Sequence, residues 1–197
     1  MALISPDDGG YSVDEALLQW VFKNVPVGKT ILELGAGEST KRFKEHGYKV
    51  ISIEHDSNFI NLVPGVQYIH APIEDYNEKG NVYPPSLSKR IATQKGWYNR
   101  EIVGHYLKNK SYDLILIDGP PKFVGRAGFL INIDLFDKTA IMLIDDLHRQ
   151  DELYLARRIA LALGKDLLIT NNGSEIVGQK PNGDMKAQEK KPFGIIV

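Results

Sequence analysis

Cysteine is absent from the 197 residues, which excludes a disulfide framework, thiolate metal sites and cysteine nucleophiles. Neither sign of charge is in excess: 24 Lys and Arg stand against 25 Asp and Glu, a formal net charge of −1. Nothing global therefore points to nucleic acid or an anionic membrane surface, and neither is expected as a partner. The basic residues are scattered, apart from Lys186, Lys190 and Lys191, which sit close together. No apolar run approaches the roughly 20 residues that span a bilayer. Met1 to Asp8 shows no basic segment followed by an apolar one, so no signal peptide is expected and the cytoplasm is the default location. What is present is ordinary: 43% hydrophobic and 25% charged residues, enough chain for one buried core and a single domain over 1–197.

Short apolar runs alternate with helical periodicity along the chain. Ser12-Val13-Asp14-Glu15 reads as a capping box, with Val13, Ala16, Leu17, Trp20 and Val21 forming the apolar stripe behind it. Strands are expected at Thr30–Leu34, Tyr48–Ile53, Val66–Ile69, Tyr112–Ile117, Ala140–Ile144, Leu167–Thr170 and Phe193–Val197. A helix is expected from the Gly35-Ala36-Gly37 turn to about Glu45, a short one capped by Ser57, and others at Phe129–Phe136 and Asp151–Leu163. Strands that are apolar throughout, separated by helices, imply a sheet covered on both faces. The last two have only the polar connection of Gly173 to Pro192 between them. The expected fold is a doubly wound α/β domain, with a mostly parallel seven-stranded sheet and an antiparallel last strand. Such folds bind ligands beyond the carboxyl ends of their strands.

Tyr76 to Lys110 breaks the rhythm. It is long for a connection and carries Tyr83, Pro84, Pro85, Trp97, Tyr98 and Tyr106. It reads either as a substrate lid or as a crossover helix, Tyr98 to Leu107, behind a decorated loop. Trp97 and Tyr98 offer a stacking surface for a sugar or flat ring, or else the core of the insertion.

The run Ile31-Leu32-Glu33-Leu34-Gly35-Ala36-Gly37-Glu38-Ser39-Thr40 resembles the first motif of class I S-adenosylmethionine-dependent methyltransferases. Gly35 and Gly37 permit a tight turn close to a ligand, and the following helix points its amide donors into the same space. The resemblance implies cofactor contacts from Gly35, Ala36, Gly37 and Ser39, with Glu33 near the methionine ammonium. It continues at Val50 to Glu54, 19 residues beyond Gly35, where Glu54 would accept the ribose hydroxyls beside His55. Ala71-Pro72-Ile73-Glu74-Asp75 occupies the adenine-contacting stretch: Ile73 would offer its amide and an apolar face, and Glu74 or Asp75 an acceptor. Tyr112 to Pro121, with Asp118-Gly119-Pro120-Pro121, matches the strand that delivers residues to the sulfonium. The competing reading is a Rossmann dinucleotide site, but Thr40 stands where that fingerprint wants its third glycine.

Asp118, Asp145 and Asp146 should converge at one sheet edge, because they end two successive parallel strands. With 27 residues from Asp118 to Asp145, they resemble the divalent-metal site of catechol-type O-methyltransferases. The implied ion is Mg²⁺, which prefers hard oxygen ligands. The alternative is capping by Asp146 and a solvated Asp145. Catechol-type enzymes place a lysine base shortly after the first aspartate; here Gly119-Pro120-Pro121 displaces Lys122. His148 is the other candidate base. Lys122 also reads as a solvated loop residue, and His148 as a residue in the first turn of a helix. Arg126 reads as a contact for an anionic acceptor or the cofactor carboxylate, or as an exposed arginine. The expected function is methyl transfer from S-adenosylmethionine to a small-molecule or glycan hydroxyl, with Mg²⁺ assisting and Asp118 at the reacting end. A nucleic-acid or protein methyltransferase and a non-catalytic cofactor-binding protein are the alternatives. The oligomeric state is left open.

Overall fold

The computed structural model describes residues 13–75, 94, 96–171, 175–178 and 192–197. Helices α1 (Glu15–Asn24) and α2 (Glu38–Glu45) flank strand β1 (Thr30–Leu34), and β2 (Lys49–Glu54) and β3 (Gln67–His70) follow. A two-stranded ribbon, β4 (Ile73–Asp75) with β5 (Gly96–Tyr98), leads to α3 (Arg100–Leu107). Then come β6 (Leu114–Ile117), α4 (Gly128–Ile131), β7 (Ile141–Ile144) and α5 (Gln150–Leu163). The chain closes with β8 (Leu167–Asn171), β9 (Glu175–Gly178) and β10 (Phe193–Ile196).

The main sheet runs β3-β2-β1-β6-β7-β10-β8-β9. β1, β2, β3, β6 and β7 are mutually parallel, and β10 is antiparallel to both β7 and β8. The expected antiparallel last strand is therefore present, slotted between β7 and β8. The count differs: β9 pairs antiparallel with β8 and makes eight strands among the described residues. It lies in the stretch read as a polar connection, where an edge strand needs no apolar face.

Both faces of the sheet are packed. Leu32, Leu34, Ile51, Ile53, Ile115, Ile117, Met142 and Ile144 point into a core with residues of α3, α4 and α5. Their alternating neighbours Ile31, Val50, Leu114, Leu116 and Leu143 meet α1 and α2 on the other face. Side-chain alternation along a strand makes both sets necessary, which is why these strands are apolar at every position but a few.

Several boundaries move toward local capping groups. α1 starts after Asp14, whose carboxylate accepts from Ala16 N at 2.8 Å, two residues later than the capping box places it; Ser12 lies outside the described residues. α3 starts after Asn99, whose side chain accepts from Ile102 N at 2.8 Å, so Trp97 and Tyr98 are strand and not helix. Asp56 rather than Ser57 caps the next segment, which is a single 3₁₀ turn, Ser57–Phe59. The helix expected over Phe129–Phe136 is broken at Asn132 into α4 and a 3₁₀ turn, Ile133–Leu135. Tyr83, Pro84, Pro85 and the lysines at 186, 190 and 191 lie outside the described residues. No helix among the described residues is long and apolar enough to cross a membrane.

An acid stands inside strand β1. Glu33 sits in mid-β1 in register with Ser52 of β2, with no exposed surface. Ser39 Oγ of α2 donates to Glu33 Oε2 at 3.0 Å, while Oε1 has no hydrogen-bond partner among the described residues. Burial, only partly offset by the nearby hydroxyls of Thr40, Ser39 and Ser52, pushes this carboxyl up from 4.5 to about 8. The unfolded chain releases the proton near 4.5 and the folded chain holds it to about 8. Within that window rising pH therefore removes stability, by up to about 1.4 kcal/mol per pH unit. Glu33→Gln, which cannot ionise, is expected to gain stability relative to the parent as pH rises through the window. Urea unfolding of both proteins at pH values across it measures the difference; a pH-independent difference would contradict a buried protonated Glu33.

Candidate active site

Strand register builds the site. Leu34 pairs with both Ile53 and Ile117, and Ile117 with Ile144, so these four residues form one row across β2, β1, β6 and β7. The next residue of each strand is Glu54, Gly35, Asp118 and Asp145, in that order across the sheet. Backbone bonds carry the pairing one step further, with Gly35 N donating to Ile53 O (2.8 Å) and Asp145 N to Ile117 O (3.3 Å). Three acids and a glycine thus stand side by side where the parallel strands end, at strand spacings of roughly 4.8 Å.

A cleft of about 440 Å³ opens over this row. Its floor is the loop Gly35-Ala36-Gly37 with Ser39, its far wall Glu54, His55 and Asp56, and its near wall Asp118, Arg126 and Asp146. The closeness depends on glycine at two points. Gly35 has φ +97°, a left-handed backbone, and a Cβ there would meet Gly119 N at 3.3 Å. A Cβ on Gly119 would meet Leu34 O at 2.9 Å and run into the Tyr98 hydroxyl.

Of the residues singled out for the cofactor, Gly35, Ala36, Gly37, Ser39, Glu54, His55 and Asp118 line this cleft. Glu33 does not: it lies beneath, reached through Ser39. Glu54 is more heavily engaged than a free ribose acceptor would be. Its Oε2 accepts from Ala36 N (2.8 Å) and its Oε1 from His55 N (2.6 Å) and Asp56 N (2.7 Å). His55 Nδ1 approaches Oε1 to 2.6 Å. Burial alone would push Glu54 up, but the bonds from His55, Asp56 and Ala36 outweigh it and hold the carboxyl below its ordinary value. Glu54 in turn raises His55 above its ordinary value. Ile73 and Glu74 stand on the β4–β5 ribbon outside the lining of this cleft, where the Asn99 amide donates to Glu74 Oε1.

The expected acid triad does assemble: oxygens of Asp118, Asp145 and Asp146 all lie within 4.8 Å of one another. The two alternatives fail, since Asp145 is 1% exposed and α5 begins after Arg149 rather than Asp146. Asp146 adopts φ 63°, a left-handed conformation that aspartate tolerates better than most residues. The cluster is not open, however. Arg126, read as a surface or acceptor-binding arginine, is 3% exposed and lies within it. Its Nη2 donates to Asp118 Oδ1 (2.9 Å) and Asp146 Oδ2 (3.0 Å), and its Nη1 to Asp145 O (3.2 Å). Burial would lower this guanidinium's pKa, but the surrounding carboxylates of Asp118, Asp146, Glu152 and Asp145 hold it above its ordinary value. Asp145 is pushed up to about 7 by burial and by Asp118 and Asp146. Arg149, which the sequence reading missed, adds a second cation: its Nη1 lies 2.6 Å from Asp146 Oδ2. With a guanidinium on oxygens of two of the three acids, the residues present do not fit the Mg²⁺ expected from the sequence.

The two candidate bases part company. Lys122 is exposed at the rim and lines the cleft, whereas His148, also exposed, stands outside its lining. His148 Nδ1 lies 3.8 Å from Asp146 Oδ1. Trp97 is fully buried in the core against Phe136 and Tyr98, so it offers no stacking surface. Tyr98 is 1% exposed, yet it lines the cleft, and its hydroxyl has no hydrogen-bond partner among the described residues. Among the described residues Phe59 and Phe123 also line the cleft, Phe123 being 75% exposed.

No protein-family model matches the chain, and no curated protein sequence does. Solved structures do. A TehB-like SAM-dependent methyltransferase from Corynebacterium glutamicum is similar with a TM-score of 0.51, at 16% identity over 92% of this chain and 86% of that one. A methyltransferase from Pyrococcus furiosus is similar with a TM-score of 0.50, at 14% identity over 98% and 87% of the two chains. The chain has the Rossmann-like fold of S-adenosylmethionine-dependent methyltransferases.

Proposed function

We propose that the chain is an S-adenosylmethionine-dependent methyltransferase acting on a hydroxyl of a small molecule or glycan. The observation that carries the reading is the row Glu54-Gly35-Asp118 under one cleft, with the glycine loop and the start of α2 as its floor. A nucleoside with a charged tail matches such a cleft, because the glycine loop lets its backbone come close while helix amides and carboxylates take the polar groups. A dinucleotide is the poorer match. Thr40 takes the place of the third glycine, and its hydroxyl is used locally, accepting from Gly37 N at 2.9 Å.

Methyl transfer is an in-line displacement at a carbon already activated by its sulfonium, so positioning supplies much of the rate. The acceptor's proton must go to a protein group, and the reading includes no metal in that role. Asp118, as its carboxylate, and Lys122, in its neutral amine form, both face the cleft and are the proposed acceptors of that proton, ahead of His148. Phe59 and Phe123 give a sugar or a flat ring an apolar face to lie against, and the acids and Lys122 give its hydroxyls partners. Part of the insertion over 76–110 is proposed to complete the acceptor side. Gln94 Oε1 accepts from Ala127 N at 2.8 Å, tying that segment to the loop that carries Arg126.

The cofactor is tested by thermal unfolding with S-adenosylmethionine, S-adenosylhomocysteine or NAD. A ligand present at about a hundred times its dissociation constant adds about 2.7 kcal/mol to stability. The two sulfur compounds are expected to raise the melting temperature by several degrees and NAD to leave it unchanged. A shift with NAD alone would sink the proposal. The acceptor is tested with radiolabelled methyl donor and a panel of sugars and phenols. Transfer to at least one sugar is expected, and loss of the general base is expected to slow it about 10²-fold or more. Lys122→Ala should show that loss and His148→Ala should not; transfer to phenols alone would remove the glycan assignment.

A further inference from the structure

We propose that Arg126 is the built-in counter-ion of the Asp118–Asp145–Asp146 cluster, so that this site takes no divalent cation and acquires one only when the guanidinium is removed. Three carboxylate groups within 4.8 Å of one another make up a ligand set of the kind that holds a hard cation through about six oxygens at 2.0–2.1 Å. Here one nitrogen, Nη2, already bonds an oxygen of Asp118 and one of Asp146, while Nη1 takes the main-chain oxygen between those side chains. A guanidinium nitrogen has no lone pair to give a metal, so it competes for the carboxylates and cannot join the coordination sphere.

The arginine is also fixed in place. Gly125 N donates to Pro121 O (3.0 Å) and Phe129 N to Arg126 O (3.0 Å), closing turns on either side, and Ala127 N is held by Gln94. At 3% exposure the side chain cannot leave without emptying a buried volume. Arg149 on Asp146 Oδ2 completes the compensation from the α5 side. Arg126 thereby acts as a positioning residue, setting the direction in which Asp118 and Asp146 present their carboxylates to the cleft.

The test is a Mn²⁺ titration followed by electron paramagnetic resonance, on the wild-type chain, Asp145→Asn, Arg126→Met and Arg126→Met/Asp145→Asn. Wild type is expected to show no saturable binding up to about 1 mM, the weak end of protein oxygen sites. R126M is expected to gain one saturable site, at least about tenfold tighter, which the added D145N abolishes. A saturable Mn²⁺ site in wild type that D145N removes would overturn the proposal, and so would an R126M protein with native circular dichroism that binds no Mn²⁺. Should R126M fail to fold, wild type and D145N still decide between these results. The readout is the metal alone, so failure of S-adenosylhomocysteine to bind would sink the methyltransferase reading without altering it.

Discussion

Asp118, Asp145, Asp146 and Glu152 crowd the end of β6 and β7, and no fold keeps that much negative charge out of water without compensation. Two arginines supply it. Arg126, from the loop after β6, bonds groups on both strands. Arg149, at the start of α5, reaches Asp146 and lies 3.8 Å from Glu152. Removing one partner of a buried ionic group costs about 3–5 kcal/mol, because it leaves the other charge desolvated and unpaired. The near wall of the cleft consequently stands or falls as a unit. The same bonds fix the loop after β6, and through Gln94 a described residue of the insertion. Arg126 is the point through which sheet edge, loop and insertion are joined.

The opposite wall uses a different device with the same result. Glu54 is satisfied by backbone amides of the two loops that border it, Ala36 after β1 and His55 and Asp56 after β2. A carboxylate accepting several amide bonds is stabilised in its charged form, and it locks the glycine loop to the neighbouring strand. Between these two walls stands Gly35, where a side chain would close the distance to Gly119. The cleft is therefore a consequence of register: acids on either side of a residue that has no side chain.

Much of this was legible in the sequence, for identifiable reasons. Strands packed between two helical layers must be apolar on both faces, and the runs at 30–34, 48–53, 112–117 and 140–144 stand out on that account. Acids directly after such runs can only lie at the carboxyl edge, which is why Asp118, Asp145 and Asp146 could be grouped from the ends of their strands, while Glu54 was placed through the family resemblance. What was not legible depends on partners distant in the chain. Trp97 and Tyr98 became a strand because Ile73 to Asp75, read as an adenine-contacting stretch, pairs with them, and a three-residue ribbon leaves no periodicity to detect. Arg126 looked like a loop arginine because its burial follows from acids contributed by two other segments. Counting charges at the predicted edge would have found it, since three converging carboxylates demand a cation. The cation was sought as an ion when the chain already carried it.

The two acidic sites that flank the glycine loop are consequently unequal toward an incoming positive charge. Around Asp118 and Asp146 the attraction is spent on Arg126 and Arg149. Glu33, by contrast, is compensated by a proton rather than by a cation, and its Oε1 has no hydrogen-bond partner among the described residues. A proton can be given up: a cationic group bound above Ser39 lowers the cost of ionising Glu33, and binding it becomes coupled to proton release at pH values below about 8. On the methyl-transfer reading this separates the two ends of the donor. The amino-acid end would meet an acid that answers to its charge, while the sulfonium end would face carboxylates already held by arginine. Such carboxylates position an acceptor hydroxyl without competing for the sulfonium, and that division suits an in-line transfer better than a wall of unpaired acids would.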